Sequence, residues 1–200
     1  MLLLLILVIF VAGIVLAVKL NNKAMVEIKK EIDAAMSALI AENNITVSKS
    51  IDVESYQNNL PNATTYTKFI VDDENKKFVI FNYDKILRKQ QFTCVNYSDL
   101  LNFNLFEDGE QQLQGRGAMS AVGALTFGIA GAVVGSVAGD RKVKNKCREL
   151  SVRIQINDLD NPLISIGCVS NCDKNNIFYT KGRQTADNII ATLTYIENNK

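Results

Sequence analysis

The chain has no histidine, no tryptophan and only two prolines, and its four cysteines are scattered over 200 residues. Lacking histidine, it lacks the commonest general base and the commonest metal ligand. Hydrolase triads and zincin-type centres are thereby excluded. Neither sign of charge is in surplus: 22 Lys and Arg against 21 Asp and Glu leave a net charge of +1. A general nucleic-acid binder needs a basic excess, so no nucleic acid is expected as a partner. No glycine loop ends in Gly-Lys-Ser/Thr or reads Gly-x-Gly-x-x-Gly, which removes the motifs that cradle phosphates. The thiols give Cys168-x-x-x-Cys172 and two isolated residues, Cys94 and Cys147. A four-cysteine zinc site needs a second close pair. We therefore expect no metal and no cofactor, and read the thiols as buried or idle.

Two uncharged stretches stand out against this background. Met1 to Val18 is apolar throughout and as a helix would measure about 27 Å, just enough to cross a hydrocarbon core. A cleaved signal peptide needs a basic start and a small-residue cleavage site. Here no Lys or Arg precedes the apolar run, and Ala17-Val-Lys19 leads straight into a helical pattern. The expectation is an uncleaved transmembrane anchor over 1–18. The alternative is a secreted or surface β domain whose signal peptide has been removed. Lys19, Lys23, Lys29 and Lys30 follow the span, which puts the bulk of the chain on the cytoplasmic side of a bacterial cell membrane.

The second stretch is Gly117 to Gly139. Gly131, Gly135 and Gly139 repeat every four residues, with Ala124, Gly128, Ala132 and Ser136 beside them. On a helix these rows form one smooth face that another backbone can approach closely. Gly123, Gly128, Gly131, Gly135 and Gly139 are the candidate residues for packing in a membrane or between copies. A buried helical hairpin in water is the rival reading, since Gly and Ala are driven only weakly toward lipid. Arg141, Lys142, Lys144 and Lys146, with Arg148 beyond, follow at once. They are candidate contacts to anionic lipid headgroups, worth roughly 1 kcal/mol each near the surface.

The rest reads as a stalk and a β domain. Met25, Ile28, Ile32, Met36 and Leu39 recur at helical spacing within an amphipathic stalk over 19–44, ended by Asn43-Asn44. Residues 45–65 are polar and irregular, a short strand and linker. From Tyr66, short β-branched and aromatic runs alternate with turn residues, making 66–110 the first part of a β domain. Leu150-Ser-Val-Arg-Ile-Gln-Ile alternates with period two, and Ala186, Ile189, Ile190, Leu193 and Ile196 form a closing helical stripe. Residues 147–200 are thus its second part, with Thr185 as the expected cap of the closing helix. The glycine-zipper segment, 115–140, splits the domain. If its flanks share one sheet, the segment must enter and leave through the same leaflet, as a re-entrant or oligomerising helical hairpin.

A resemblance joins these parts. Phe106-Glu-Asp-Gly109, the Gly117–Gly139 run, Cys147-Arg-Glu-Leu150 and Asp160-Asn-Pro162 follow one another as in a group of Gram-positive bacterial and prophage proteins. In that group a pleckstrin-homology-like (PH-like) β domain carries a glycine-zipper insertion. The resemblance implies an α+β fold, a seven-stranded, partly open antiparallel barrel or sandwich capped by a C-terminal helix. It brings no catalytic residues. Asp72, Asp73, Glu107 and Asp108 fall in turn-like segments without partners for catalysis and read as solvated turn residues. The expected function is a non-enzymatic, membrane-anchored interaction or scaffold protein. Its partners would be the lipid bilayer, further copies of itself through the zipper, and an unknown protein. A prophage exclusion or immunity role is what the resemblance suggests.

Overall fold

A computed structural model of the chain describes residues 23, 26–61, 64–114 and 145–200, with 110–114 described by backbone alone. The chain divides into two compact units, Met1–Ile45 and Thr46–Lys200. The expected anchor, 1–18, lies outside the described residues. Among the described residues no helix is long and apolar enough to cross a membrane.

In the first unit, residues 26–42 form helix α1. Its less exposed positions include Ile28, Ile32, Met36 and Leu39, the apolar stripe of the sequence. Asn44 ends it in the left-handed conformation (φ 51°). Ile45 N–H reaches Ile40 O at 3.0 Å and Asn44 N–H reaches Ala41 O at 3.2 Å. This is a Schellman closure, which satisfies carbonyls that the last turn leaves open, with Asn in the usual place of Gly.

The described residues of the second unit form two sheets and a helix, antiparallel throughout except for the parallel pairing of Tyr56–Gln57 with Val169–Ser170. The first sheet orders β1 (Lys49–Val53), β4 (Thr65–Asp72), β5 (Lys77–Asp84) and β6 (Lys89–Asn96). The second orders β3 (Leu60–Pro61), β2 (Tyr56–Gln57), β10 (Leu163–Asp173), β9 (Lys146–Ile156), β7 (Leu100–Glu107) and β8 (Glu110–Gln114). Residues 45–65, read as a short strand and linker, thus supply β1 to the first sheet and β2 and β3 to the second. Within the two sheets, β1-β4-β5-β6 and β7-β9-β10 are four- and three-stranded meanders. The resemblance implied seven strands; the described residues show ten, four in the first sheet and six in the second. The barrel is not closed: among the described residues no strand of one sheet pairs with a strand of the other. Among the described residues the fold is mostly β with two α-helices, a PH-like α+β sandwich.

Why these segments form strands is visible in their burial. In β9 the buried residues Cys147, Leu150, Val152, Ile154 and Ile156 fall on one face beyond an early irregularity. β10 slips register between Gly167 and Val169, so Cys168 and Val169 are buried in succession. Phe69, Val71, Phe78 and Ile80 of the first sheet meet Leu105, Leu150, Val152 and Ile154 of the second in one core. Helix α2 (Ile177–Asn198) closes that core with Ala186, Ile189, Leu193 and Ile196. Each such side chain contributes roughly 1.5–3 kcal/mol by leaving water, Ala186 less.

Helix α2 starts earlier than expected. Its cap is Asn176, whose side-chain oxygen accepts from Phe178 N–H at 2.9 Å. Thr185 lies inside the helix and is buried. The first two turns escape an apolar-stripe search because the helix comes too close to β10 for large side chains. A Cβ on Gly182 would lie 2.3 Å from Val169 Cγ2 and 2.9 Å from the Cys168 carbonyl oxygen.

Candidate functional site

The feature to be explained is the base of the insertion, where the chain leaves the β domain and returns. β7 is paired on one side with β8 and on the other with β9. Gln114, the end of β8, faces Asn104, and Asn104 faces Arg153 of β9. Lys146, the first residue of β9, faces Asp173 at the end of β10. Both ends of the insertion therefore belong to one sheet. Lys146 and Arg153 are seven positions apart in β9, about 23 Å at the strand rise.

A two-residue turn builds this base. Glu107 pairs with Glu110, and between them Asp108 (φ 53°) and Gly109 (φ 84°) are both left-handed. An Asp-Gly pair with positive φ at both positions is the hairpin connection that matches strand twist. The Asp108 carboxylate also accepts from Arg148 N–H at 2.6 Å and Glu149 N–H at 3.2 Å. The hairpin tip is thereby fastened to the first turns of the returning strand. On the far side, Lys174 N–H donates to Asn145 O at 2.7 Å, which ties the returning chain to the β10–α2 connection.

Behind the turn sits a buried charge. Phe103, Leu105 and Glu107 point to the same face of β7, and Glu107 is only 7% exposed. Its carboxylate holds Lys174 Nζ at 2.5 Å, accepts from the Tyr179 hydroxyl at 3.2 Å and meets Arg183 at 3.5 Å. Arg183 Nε in turn donates to Asp187 at 3.1 Å. A buried carboxylate is tolerated when it is paired and hydrogen-bonded in this way. Burial works against the Lys174 ammonium, but the Glu107 carboxylate raises its pKa above the usual lysine value. Burial, reinforced by Glu107, pushes the Tyr179 hydroxyl up to about 12. Burial likewise raises the Asp187 carboxyl, which Arg183 partly offsets. The cluster ties β7, the β10–α2 connection and α2 together immediately beneath the insertion.

Two of the four candidate carboxylates are therefore not solvated turn residues. Glu107 is a core-facing strand residue, and the alternation Phe103-x-Leu105-x-Glu107 was the signal that could have found it. Asp72 is fully buried. It accepts from Thr46 N–H, Asn75 N–H and the Asn75 side chain at 2.8–2.9 Å, closing the β4–β5 turn. Asp73 and Asp108 stay at turns; Asp73 accepts from Lys76 and from the Tyr97 and Tyr195 hydroxyls, and Asp108 from the Arg148 and Glu149 N–H groups.

None of the four cysteines is joined in a disulfide. Cys147, Cys168 and Cys172 are buried and Cys94 is exposed. Burial pushes the Cys147 and Cys168 thiols up to about 12, with Glu107 and Asp108 adding to the rise at Cys147. Cys147 and Cys172 face each other across β9 and β10. Among the described residues no group of three or more His, Cys, Asp or Glu is placed to hold a metal.

Gly123, Gly128, Gly131, Gly135, Gly139, Arg141, Lys142 and Lys144 lie outside the described residues. Of the headgroup candidates Lys146 is described, exposed at the first position of β9.

Comparison with known proteins adds three findings. The family described as glycine zipper containing PH domain matches residues 55–170. A stretch of 60 residues, 30% of the chain, is 30% identical to part of the DNA-directed RNA polymerase subunit beta of Phaeodactylum tricornutum (strain CCAP 1055/1), and it spans 4% of that subunit. So small a share of the enzyme carries none of its activity over to this chain. No solved structure matches.

Proposed function

Because this chain belongs to the family of glycine-zipper-containing PH domains, we propose that it is a non-enzymatic interaction module held at a membrane. The PH-like domain presents a binding surface. The insertion built on Gly123, Gly128, Gly131, Gly135 and Gly139 packs in lipid or against further copies of itself. Arg141, Lys142, Lys144 and Lys146 lie against anionic headgroups, and Met1–Val18 supplies a second anchor. The domain faces the cytoplasm of a bacterial cell, and its protein partner binds there. Prophage exclusion or immunity is the narrowest form of this reading and rests on resemblance alone.

One observation carries the reading: β8, β7 and β9 are neighbours in one sheet, so the zipper begins and ends on one folded body. A segment that crossed a bilayer once would separate strands that must pair. The offset of about 23 Å between its two ends is within reach, since residues 115–116 and 140–145 together would cover about 26 Å if extended. The uncharged run is then left whole for packing. Small residues at four-residue spacing let helices approach closely, which replaces the hydrophobic drive that Gly and Ala lack.

Removing 1–22 and removing 115–145 separately tests the proposal. Each shortened chain is expected to remain with the membrane pellet after alkaline extraction, and the chain lacking both to be released. Full release of the chain that keeps the insertion but lacks 1–22 would remove the insertion from the account.

A further inference from the structure

We propose that β6 is a docking edge for a second copy of this chain, the two β6 strands pairing antiparallel about a two-fold axis at Thr93. The inference goes beyond the proposed function, since it gives the PH-like domain an interface of its own, independent of the zipper. β6 is the outermost strand of the first sheet, and among the described residues no strand pairs with its outer side. An exposed edge is a template for another strand, and folded proteins blunt such edges with proline, bulges, charges or a covering helix. Three other edges are handled in this way or are short. Lys49 of β1 reaches Thr192 of α2 at 2.9 Å. β3 has two residues, one of them Pro61. β8 has five residues and leads into the insertion. β6 instead has eight residues, no proline and a single charge, Lys89, at its first position. It runs against β5 without a register shift.

The ladder shows which backbone groups of β6 are free. Tyr97 N–H donates to Lys76 O at 2.8 Å, and bonded and non-bonded pairs alternate along an antiparallel ladder. Gln91, Thr93 and Val95 are thereby bonded to β5, while Gln90, Phe92, Cys94 and Asn96 direct their N–H and C=O groups outward. A second β6 laid antiparallel uses all four only when Gln90 faces Asn96, Phe92 faces Cys94 and Thr93 faces its own copy. The strand is self-complementary in that register. Amide meets amide at both ends, threonine meets threonine at the axis, and the half-buried Phe92 twice meets the exposed Cys94 thiol. No like charges are opposed. Lys89 of each copy instead arrives opposite Tyr97 of the other, two residues from Asp99. That carboxylate lies at the end of β6, where it accepts from Asn96 at 2.8 Å, so the one cation of each strand meets an anion. A two-fold axis makes both matches at once, which selects a second copy as the occupant.

Disulfide trapping of the full-length chain in a mild detergent tests the register. Cys94→Ser removes the exposed native thiol, the other three being buried. Thr93→Cys and Gln90→Cys are then made singly in that background. Opposed non-bonded residues lie about 4.5 Å apart between Cα atoms, inside the range of about 4.4–6.8 Å that a disulfide spans. The two copies of Gln90 would be about 20 Å apart along the strands. After oxidation by air with copper phenanthroline, Thr93→Cys is expected to run as a reducible dimer on a non-reducing gel and Gln90→Cys as a monomer. No dimer at position 93, or equal dimer at both positions, overturns the inference. Light scattering of the same samples separates the two self-associations: oligomers without a dimer at position 93 leave the zipper's role standing and remove only the β6 interface.

Discussion

Gly182→Ala separates two forces that act in opposite directions on α2. Inside an exposed helix, replacing Gly by Ala stabilises by about 1 kcal/mol, because Gly loses more backbone freedom on folding. At this position the new methyl would meet Val169 Cγ2 at 2.3 Å, the Cys168 carbonyl oxygen at 2.9 Å and Tyr56 Cδ2 at 3.3 Å. The carbonyl belongs to β10, which β9 holds on one side and β2 on the other, so it cannot move aside cheaply. Val169 is buried and stiff about its first torsion. The helix must lift instead, loosening Ala186 and Ile189 against the core. Overpacking of this kind costs about 1–3 kcal/mol. The net expectation is a loss of about 1–2 kcal/mol, or a fall in midpoint of roughly 2–8 °C for a domain of this size. Thermal unfolding of the full-length chain in a mild detergent, followed by circular dichroism, reads the change. Val169→Ala in the same background should recover part of it, with a coupling of about 0.5 kcal/mol or more. A higher midpoint for Gly182→Ala would mean that the first turns of α2 are not seated on β10. The early helix start and the packing of the Glu107 cluster beneath it would fall with that result.

Two partnered charges, one buried and one half-buried, give pH-dependent expectations. Burial opposes ionisation of Asp72, yet the Asn75 and Thr46 hydrogen bonds hold its pKa below the ordinary carboxyl value of 3.8. Its contribution is therefore present above that value and lost as pH falls through the lower folded pKa. Asp72→Ala should cost about 2 kcal/mol at neutral pH by stranding two backbone donors, and its acid unfolding curve should be flatter than that of the parent. An equally steep curve would show that the turn does not depend on this carboxylate. Lys174, raised above 10.5, stabilises in full below that value and loses its effect as pH rises past it. Lys174→Met should cost roughly 1–2 kcal/mol at neutral pH, the Glu107 pair being partly open to water, and much less at strongly alkaline pH, where the parent lysine has also lost its charge. A cost that persists unchanged into strong alkali would refute the role assigned to the pair.

How far the sequence foretold the molecule depends on which force writes each element. Alternation at 150–156 and the β-branched run 77–81 mark β9 and β5 directly, because burial of one or both faces leaves a period or an apolar block. The PH-like layout follows from the order of such blocks around the glycine run. β2 and β3 left no pattern: they are two residues each, and Pro61 sits in β3, tolerable because that strand is a sheet edge. The first turns of α2 were hidden by Gly182, small because β10 is close. Tertiary packing, not local propensity, chose it. At the insertion's base, Asp108-Gly109 was legible as a turn, whereas the ion cluster was not. Glu107, Lys174 and Arg183 are far apart in the chain, and only the fold brings them together. That the expected partly open barrel or sandwich takes the form of an unclosed sandwich likewise depends on strand pairings that no local pattern encodes.

The central claim is that the inserted zipper returns through the leaflet it entered. Its most direct test is sided thiol labelling of intact cells and of inverted vesicles, with Arg116→Cys and Asp140→Cys made singly. Cys94, the exposed native thiol, is first replaced by Ser. The account predicts that a membrane-impermeant maleimide reaches both positions from the cytoplasmic side and neither from outside. Labelling of one position from each side would contradict it.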